Sequence, residues 1–229
     1  MPERSNCLIK LCGMNQPWAV EAANELTPDF IGIVVDYPKS PRSVPPARAA
    51  QLARLSRVPV VVVIVEPNLA AVSAIVESVR PNAIQLSGNE SPDFVAELGR
   101  VIAGIEIWKV VHLPPAPSQD EVSRAVAETA RFANAGAAKL LLDTRAGNMP
   151  GGSGTVGSWD AAAALIAAAP IPVLLAGGLT PQNVAEAMRK ARPLGVDVSG
   201  GTESAPGIKS PELMKDFVLA ARAFVSNSI

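Results

Sequence analysis

Short runs of aliphatic and β-branched residues recur along the chain, and longer segments bearing alanine, leucine and glutamate lie between them. The short runs read as buried strands and the longer segments as helices. Strands are expected at residues 8–12, 30–35, 58–65, 83–86, 106–112, 139–143, 173–176 and 196–199. Helices are expected at residues 17–26, 46–55, 69–79, 92–98, 119–134, 159–168, 181–189 and 211–224. Three helix starts are well marked, because Ser91-Pro92, Thr180-Pro181 and Ser210-Pro211 each place a capping residue before a proline at the first helical position.

Eight strand-then-helix units, repeating about every 25 to 30 residues, suit an α/β fold of the (β/α)8 TIM-barrel type. A doubly wound open sheet has the same periodicity and is the alternative. No stretch reads as an interdomain linker. Pro114-Pro115-Ala116-Pro117 is short and fits a stiff βα loop better, so residues 1–229 are expected to form a single domain.

Composition narrows the function. The chain is 48% hydrophobic and 18% charged, enough for a sizeable core. Twenty basic residues against 21 acidic give a formal charge of −1 with no basic run, so nucleic acid is not an expected partner. Residues 60–65, the longest aliphatic run, are too few to span a bilayer, and the polar start Met1–Asn6 has no signal-peptide core. A cytoplasmic protein with no membrane association is the expectation. Cys7 and Cys12 fall in one extended segment, where five residues put their Cα atoms roughly 16 Å apart, too far for a disulfide. Both read as thiols.

In a barrel the strands' C-terminal ends form the active face, and the residues there assemble a candidate site. Side chains alternate along a strand. Ile9 and Leu11 therefore face the helices, which leaves Lys10 and Cys12 pointing inward. Lys10 is placed to lower the thiol's pKa. Strand two leads to Ser40-Pro41-Arg42, a turn that presents an arginine to a carboxylate or phosphate. Strand four ends at Gln85 and Ser87, a weak signal. Strand five ends at His112, the one histidine, which its two following prolines mark as exposed and outside the mechanism. Strand six ends in Asp143 and runs into Gly151-Gly152-Ser153-Gly154, which has no following lysine and so is not a nucleoside-triphosphate loop. Strands seven and eight end in Gly177-Gly178 and Ser199-Gly200-Gly201, the positions of the usual barrel phosphate site.

These motifs, in this order, resemble the phosphoribosylanthranilate isomerase family from strand one to helix eight. Lys10-Leu-Cys12-Gly13 is similar to that family's opening Lys-Ile-Cys-Gly, and Ser40-Pro-Arg42 to its Ser-Pro-Arg turn. Residues 84–88 resemble Val-Gln-Leu-His-Gly, and residues 140–143 with 151–154 resemble Leu-Leu-Leu-Asp with Gly-Gly-Thr-Gly. Residues 175–184, 196–201, Glu203 and 206–209 resemble its seventh and eighth units. The resemblance implies a (β/α)8 barrel that performs an Amadori rearrangement in tryptophan biosynthesis. It implies Asp143 as general acid, with a pKa raised by burial, and Cys12 as general base. Arg42 would hold the anthranilate carboxylate. Lys10, Gly152, Gly154, Gly177, Gly178, Asp197, Ser199, Gly200 and Gly201 would complete the binding of a small phosphorylated substrate. No metal or organic cofactor is expected, since an iminium is itself an electron sink.

The chain departs from the family pattern at Ser87 in place of His, Thr155 in place of Lys, Gly200 in place of Ser and Ser210 in place of Asp. Two other readings remain open at this point. One is a paralogue acting on another phosphorylated aminosugar or ketose, and the other is a non-catalytic phosphate-ligand binder. No oligomeric state can be read from the sequence.

Overall fold

The structure, a computed structural model, describes residues 7–144 and 157–226. Among these, eight parallel strands close into a barrel in chain order. They are β1 (Leu8–Cys12), β2 (Phe30–Val34), β3 (Val60–Ile64), β4 (Ala83–Leu86), β5 (Glu106–Leu113), β6 (Lys139–Thr144), β7 (Val173–Leu175) and β8 (Gly195–Val198). Closure runs through β1 and β8, where Lys10 is paired in register with Asp197. That seam excludes the open-sheet alternative.

Helices α1 (Pro17–Leu26), α2 (Pro46–Leu55), α3 (Leu69–Val79), α4 (Pro92–Val101), α5 (Gln119–Asn134), α6 (Trp159–Ala168), α7 (Val184–Ala191) and α8 (Pro211–Ser226) follow the strands in turn. None of the described helices is long and apolar enough to cross a membrane. Ser91 and Ser210 cap as expected, accepting from the backbone N–H groups of Phe94 and Leu213. Thr180-Pro181 does not start a helix. The Asn183 carboxamide accepts from the Thr180 N–H and donates to the Gly178 carbonyl, so residues 180–183 form a turn and α7 begins at Val184. A hairpin between β8 and α8 was not expected. After a 3₁₀ turn at Gly200–Thr202, β9 (Glu203–Ala205) and β10 (Ile208–Lys209) fold back over the barrel mouth.

Strand parity divides the interior into two zones. Phe30, Val61, Ala83, Trp108, Val110, Leu141 and Leu174 point inward and fill the lower barrel with apolar side chains. Trp108 anchors that plug, edge-on to Phe30 at 4.8 Å and donating to Glu106 at 2.7 Å. Above it the inward positions carry polar and ionisable side chains, Cys12, Gln85, His112, Asp143 and Asp197 among them. Residues of opposite parity, among them Ile9, Leu11, Ile31, Ile33, Val62 and Ile84, pack under the helices as the main core.

One outward position on β5 is charged. Lys109 is buried, and its ammonium donates to the carbonyls of Gly88 (2.7 Å) and Val110 (3.1 Å) and pairs with Glu90 at 3.0 Å. Glu90 also accepts from the N–H groups of Glu66 and Gly88, which ties the loops after β3 and β4 together. Removing one member of a buried pair strands the other. Glu90→Ala is expected to cost about 3–5 kcal/mol and to lower the thermal unfolding midpoint by roughly 6–20 °C. An unchanged midpoint in a melt of the variant would contradict this role.

Candidate active site

A cleft of about 700 Å³ opens at the C-terminal ends of the strands. Every strand or the loop after it contributes. Cys12, Val34, Val63, Gln85, His112, Asp143, Ala176 and Asp197 all line the cleft, joined by Arg42 and Tyr37 from the loop after β2. A second cavity of about 420 Å³ shares Asp143, Ala176, Asp197 and Ser199 with the first, and extends along Gly177, Gly178, Gly200 and Gly201. The candidate acid thus lies on the wall common to a reaction chamber and a glycine-lined pocket suited to an anion.

Cys12, the candidate base, lies beside a buried ion pair. Lys10 has no solvent exposure, and its ammonium meets Asp197 Oδ1 at 2.8 Å and the Cys12 sulfur. Burial works against the ammonium's charge, but Asp197 and Cys12 outweigh it and hold the Lys10 pKa above its usual value. For Cys12 the balance goes the other way. Burial pushes the thiol up, Lys10 pulls it down, and the net result is a raised pKa. The expected downward pull of Lys10 on the thiol is present. Lys10 acts in that direction, yet desolvation of a wholly enclosed sulfur is larger. Cys7, at the other end of β1, is pushed up to about 12, chiefly by burial, and both cysteines are free thiols.

Two glycines leave room beside Cys12 and Asp143. A Cβ on Gly32 of β2 would lie 2.6 Å from the Cys12 sulfur and 3.1 Å from Lys10 Nζ. A Cβ on Gly177 would lie 2.8 Å from Asp143 Oδ1 and 2.5 Å from the Thr144 nitrogen, at a backbone φ of +85° that disfavours other residues. Asp143 is half-buried.

Arg42 enters the cleft already paired. Its Nε and Nη2 donate to the two oxygens of Glu203, at 2.7 and 2.8 Å. The Glu203 side chain is 3% exposed and also accepts from Lys209 Nζ and the Gly207 N–H. Its pKa falls below the usual carboxylate range because, against burial, Arg42 and Lys209 favour the charged form. Lys209 in turn donates to the Ser199 carbonyl and the Thr202 hydroxyl, and burial lowers its pKa. Asn15 donates to the Gly207 carbonyl. The β9–β10 hairpin thereby joins the loops after β1, β2 and β8.

Of the residues named from sequence, Cys12, Arg42 and Asp143 line the cleft, and Gly177, Gly178, Gly200 and Gly201 line the adjoining cavity. Asp197 and Ser199 line both, and Lys10 lies behind Cys12. Gly152 and Gly154 lie outside the described residues. The expectation that His112 is exposed is corrected. It is half-buried and lines the cleft, in register with Asp143 on β6. Parity with Trp108 and Val110 was the signal that places it inside. Nothing in the sequence shows that Glu203, a member of the eighth-unit motif, takes both Arg42 and Lys209.

Comparison with known proteins agrees with this geometry. Residues 9–220 match the family model of N-(5'-phosphoribosyl)anthranilate (PRA) isomerase. The N-(5'-phosphoribosyl)anthranilate isomerase of Rhodopseudomonas palustris (strain BisA53) is 39% identical over 220 residues, covering 94% of this chain and 95% of that protein. Among solved structures, the Pyrococcus furiosus N-(5'-phosphoribosyl)anthranilate isomerase superposes with a TM-score of 0.80 at 27% identity, covering 95% of this chain and 99% of the other. A phosphoribosylanthranilate isomerase in complex with reduced 1-(o-carboxyphenylamino)-1-deoxyribulose 5-phosphate gives 0.76 at 29% identity, with the same coverage. The chain belongs to the phosphoribosylanthranilate isomerase family.

The clearance at Gly32 can be tested directly. Gly32→Ala is expected to fold, to displace the Cys12 sulfur, and to lower kcat/KM by about 100-fold, the scale of an ångström misplacement of a reacting group. Steady-state kinetics beside a thermal melt measure this. Full activity in a folded variant would show that the thiol's position is not set by Gly32.

Proposed function

We propose that Cys12 and Asp143 are the base and the acid of the family's reaction. That reaction is the Amadori rearrangement of N-(5'-phosphoribosyl)anthranilate to 1-(2-carboxyphenylamino)-1-deoxyribulose 5-phosphate, a step of tryptophan biosynthesis. The chain is an aldose–ketose isomerase. The observation that most favours this assignment is that the two groups, from β1 and β6, open onto one cleft whose wall is shared with the glycine-lined cavity.

The substrate is a furanose joined through nitrogen to an aryl ring. Asp143 gives a proton to the ring oxygen, the C1′–O bond breaks, and the nitrogen lone pair forms an iminium at C1′. The cation acidifies C2′–H, and Cys12 takes that proton as the electron pair forms the C1′–C2′ double bond of an enaminol. Protonation at C1′ and loss of the O2′ proton give the ketone. No external oxidant or reductant is consumed. Only a thiolate can accept the C2′ proton, so the Lys10 ammonium is what favours that form against burial.

Binding follows the same division of the site. Glu203 occupies the Nε–Nη2 edge of Arg42 and leaves three guanidinium N–H groups, so the anthranilate carboxylate is met by the end of the fork rather than its side. Val34, Val63 and Val65 offer an apolar surface to the aryl ring. The phosphate falls to the backbone N–H groups of the turns at Gly177–Gly178 and Ser199–Gly201. Free thiols fit a reducing compartment, and we assign the protein to the cytoplasm.

Anthranilate fluorescence changes as substrate is consumed, so turnover can be followed with the purified protein. Wild type is expected to be active, and Cys12→Ser and Asp143→Asn are each expected to lose about 10³-fold in kcat, within the range of a lost proton-transfer group. An inactive wild type would refute the reaction. Active variants would leave the reaction standing and refute the roles.

A further inference from the structure

Gln85 has no part in the reaction as derived so far, and its chemistry is incomplete. It points inward from β4, level with Val63 on β3 and Trp108 on β5, and is 5% exposed. Its amide nitrogen donates to the Ser87 hydroxyl at 3.1 Å. Its carbonyl oxygen, also buried, meets no hydrogen-bond donor among the described residues, although the side chain lines the cleft. Leaving a buried amide carbonyl without a donor is costly, and native interiors rarely do so. The walls next to it, Val63, Val65 and Val110, have no side-chain donor to give.

We infer that Gln85 is a substrate-binding residue whose side-chain carbonyl accepts a hydrogen bond from the middle of the substrate. The donor is the anilino N–H or a ribose hydroxyl. Ser87 is a positioning residue that holds the amide with its oxygen toward the ligand. The inference rests on reading this cleft as the isomerase site. It is also supported by placement around the ring of strands. In an eight-stranded barrel β4 stands opposite β8, so Gln85 faces the wall that holds Asp197 and lies next to Cys12. The carboxylate and phosphate contacts grip the two ends of the substrate. A contact from β4 fixes the part between them, where C2′ must meet the thiol. A site built to bond an N–H or O–H discriminates strongly against an analogue lacking it. Ser87, which stands where the family pattern has His, supplies the hydroxyl that takes the amide N–H and itself lines the cleft.

The test is calorimetric binding of reduced 1-(o-carboxyphenylamino)-1-deoxyribulose 5-phosphate, its N-methyl form and its single-deoxy forms, to wild type and to Gln85→Met. One of the altered analogues is expected to bind wild type about 10- to 100-fold more weakly than the parent, the size of one buried hydrogen bond. Which analogue it is identifies the donor. Gln85→Met is expected to lose the same factor for the parent and to show no preference between the two, with its affinity for inorganic phosphate unchanged. Ser87→Ala should show a smaller loss, restored by Ser87→Thr. Wild type binding every analogue equally overturns the inference without recourse to any variant, as does Gln85→Met binding the parent as tightly as wild type. Binding of the parent without turnover of phosphoribosylanthranilate would refute the reaction and leave Gln85 standing. Turnover with no effect at Gln85 would do the reverse.

Discussion

A lysine ammonium with no access to water lies inside the barrel, and much of the site depends on how that charge is tolerated. An isolated ammonium in such a place would lose its proton. Asp197 prevents this from 2.8 Å away. The two residues are register partners across β1 and β8, the seam at which the barrel closes. Closure and charge compensation are therefore one interaction. Cys12, two residues further along β1, receives its consequence, a fixed positive charge beside a sulfur that burial would otherwise keep firmly protonated.

The same seam is tied a second time above the strands. Glu203 takes both an edge of Arg42 and the ammonium of Lys209, while Lys209 holds the Ser199 carbonyl at the start of the glycine turn. Four donors on one nearly enclosed carboxylate set the arginine's direction and the turn's position together. Three cations, Lys10, Arg42 and Lys209, stand against Asp197 and Glu203. Gly32 and Gly177 leave space beside the sulfur of Cys12 and the carboxylate of Asp143.

Much of this was legible in the sequence because it depends on period and parity. Eight alternating units gave the strands and helices to within a few residues. The apolar alternation of Ile9 and Leu11 alone turns Lys10 and Cys12 inward. What was not legible depends on pairs distant along the chain or on competition between large terms. Thr180-Pro181 has a helix-start signature, but Asn183 takes the Thr180 N–H for a turn. The two prolines after His112 suggested exposure, whereas strand parity placed it in the cleft beside Asp143. Arg42 looked like a whole fork awaiting a ligand until Glu203, 161 residues away, proved to hold one edge. The sign of the Cys12 shift could not be had from neighbours alone, because the degree of enclosure decides it.

The Lys10 charge, made tolerable by Asp197, keeps a buried thiol within reach of ionisation. The most direct measurement is a titration of Cys12 by the ultraviolet absorbance of its thiolate, in a Cys7→Ser background so that one sulfur reports. It compares the native pair with Lys10→Met/Asp197→Asn, which removes both charges and leaves neither stranded. The thiol is expected to titrate above the ordinary range with the pair present, and higher still without it. A thiol unmoved by loss of the pair, or shifted downward, would contradict it.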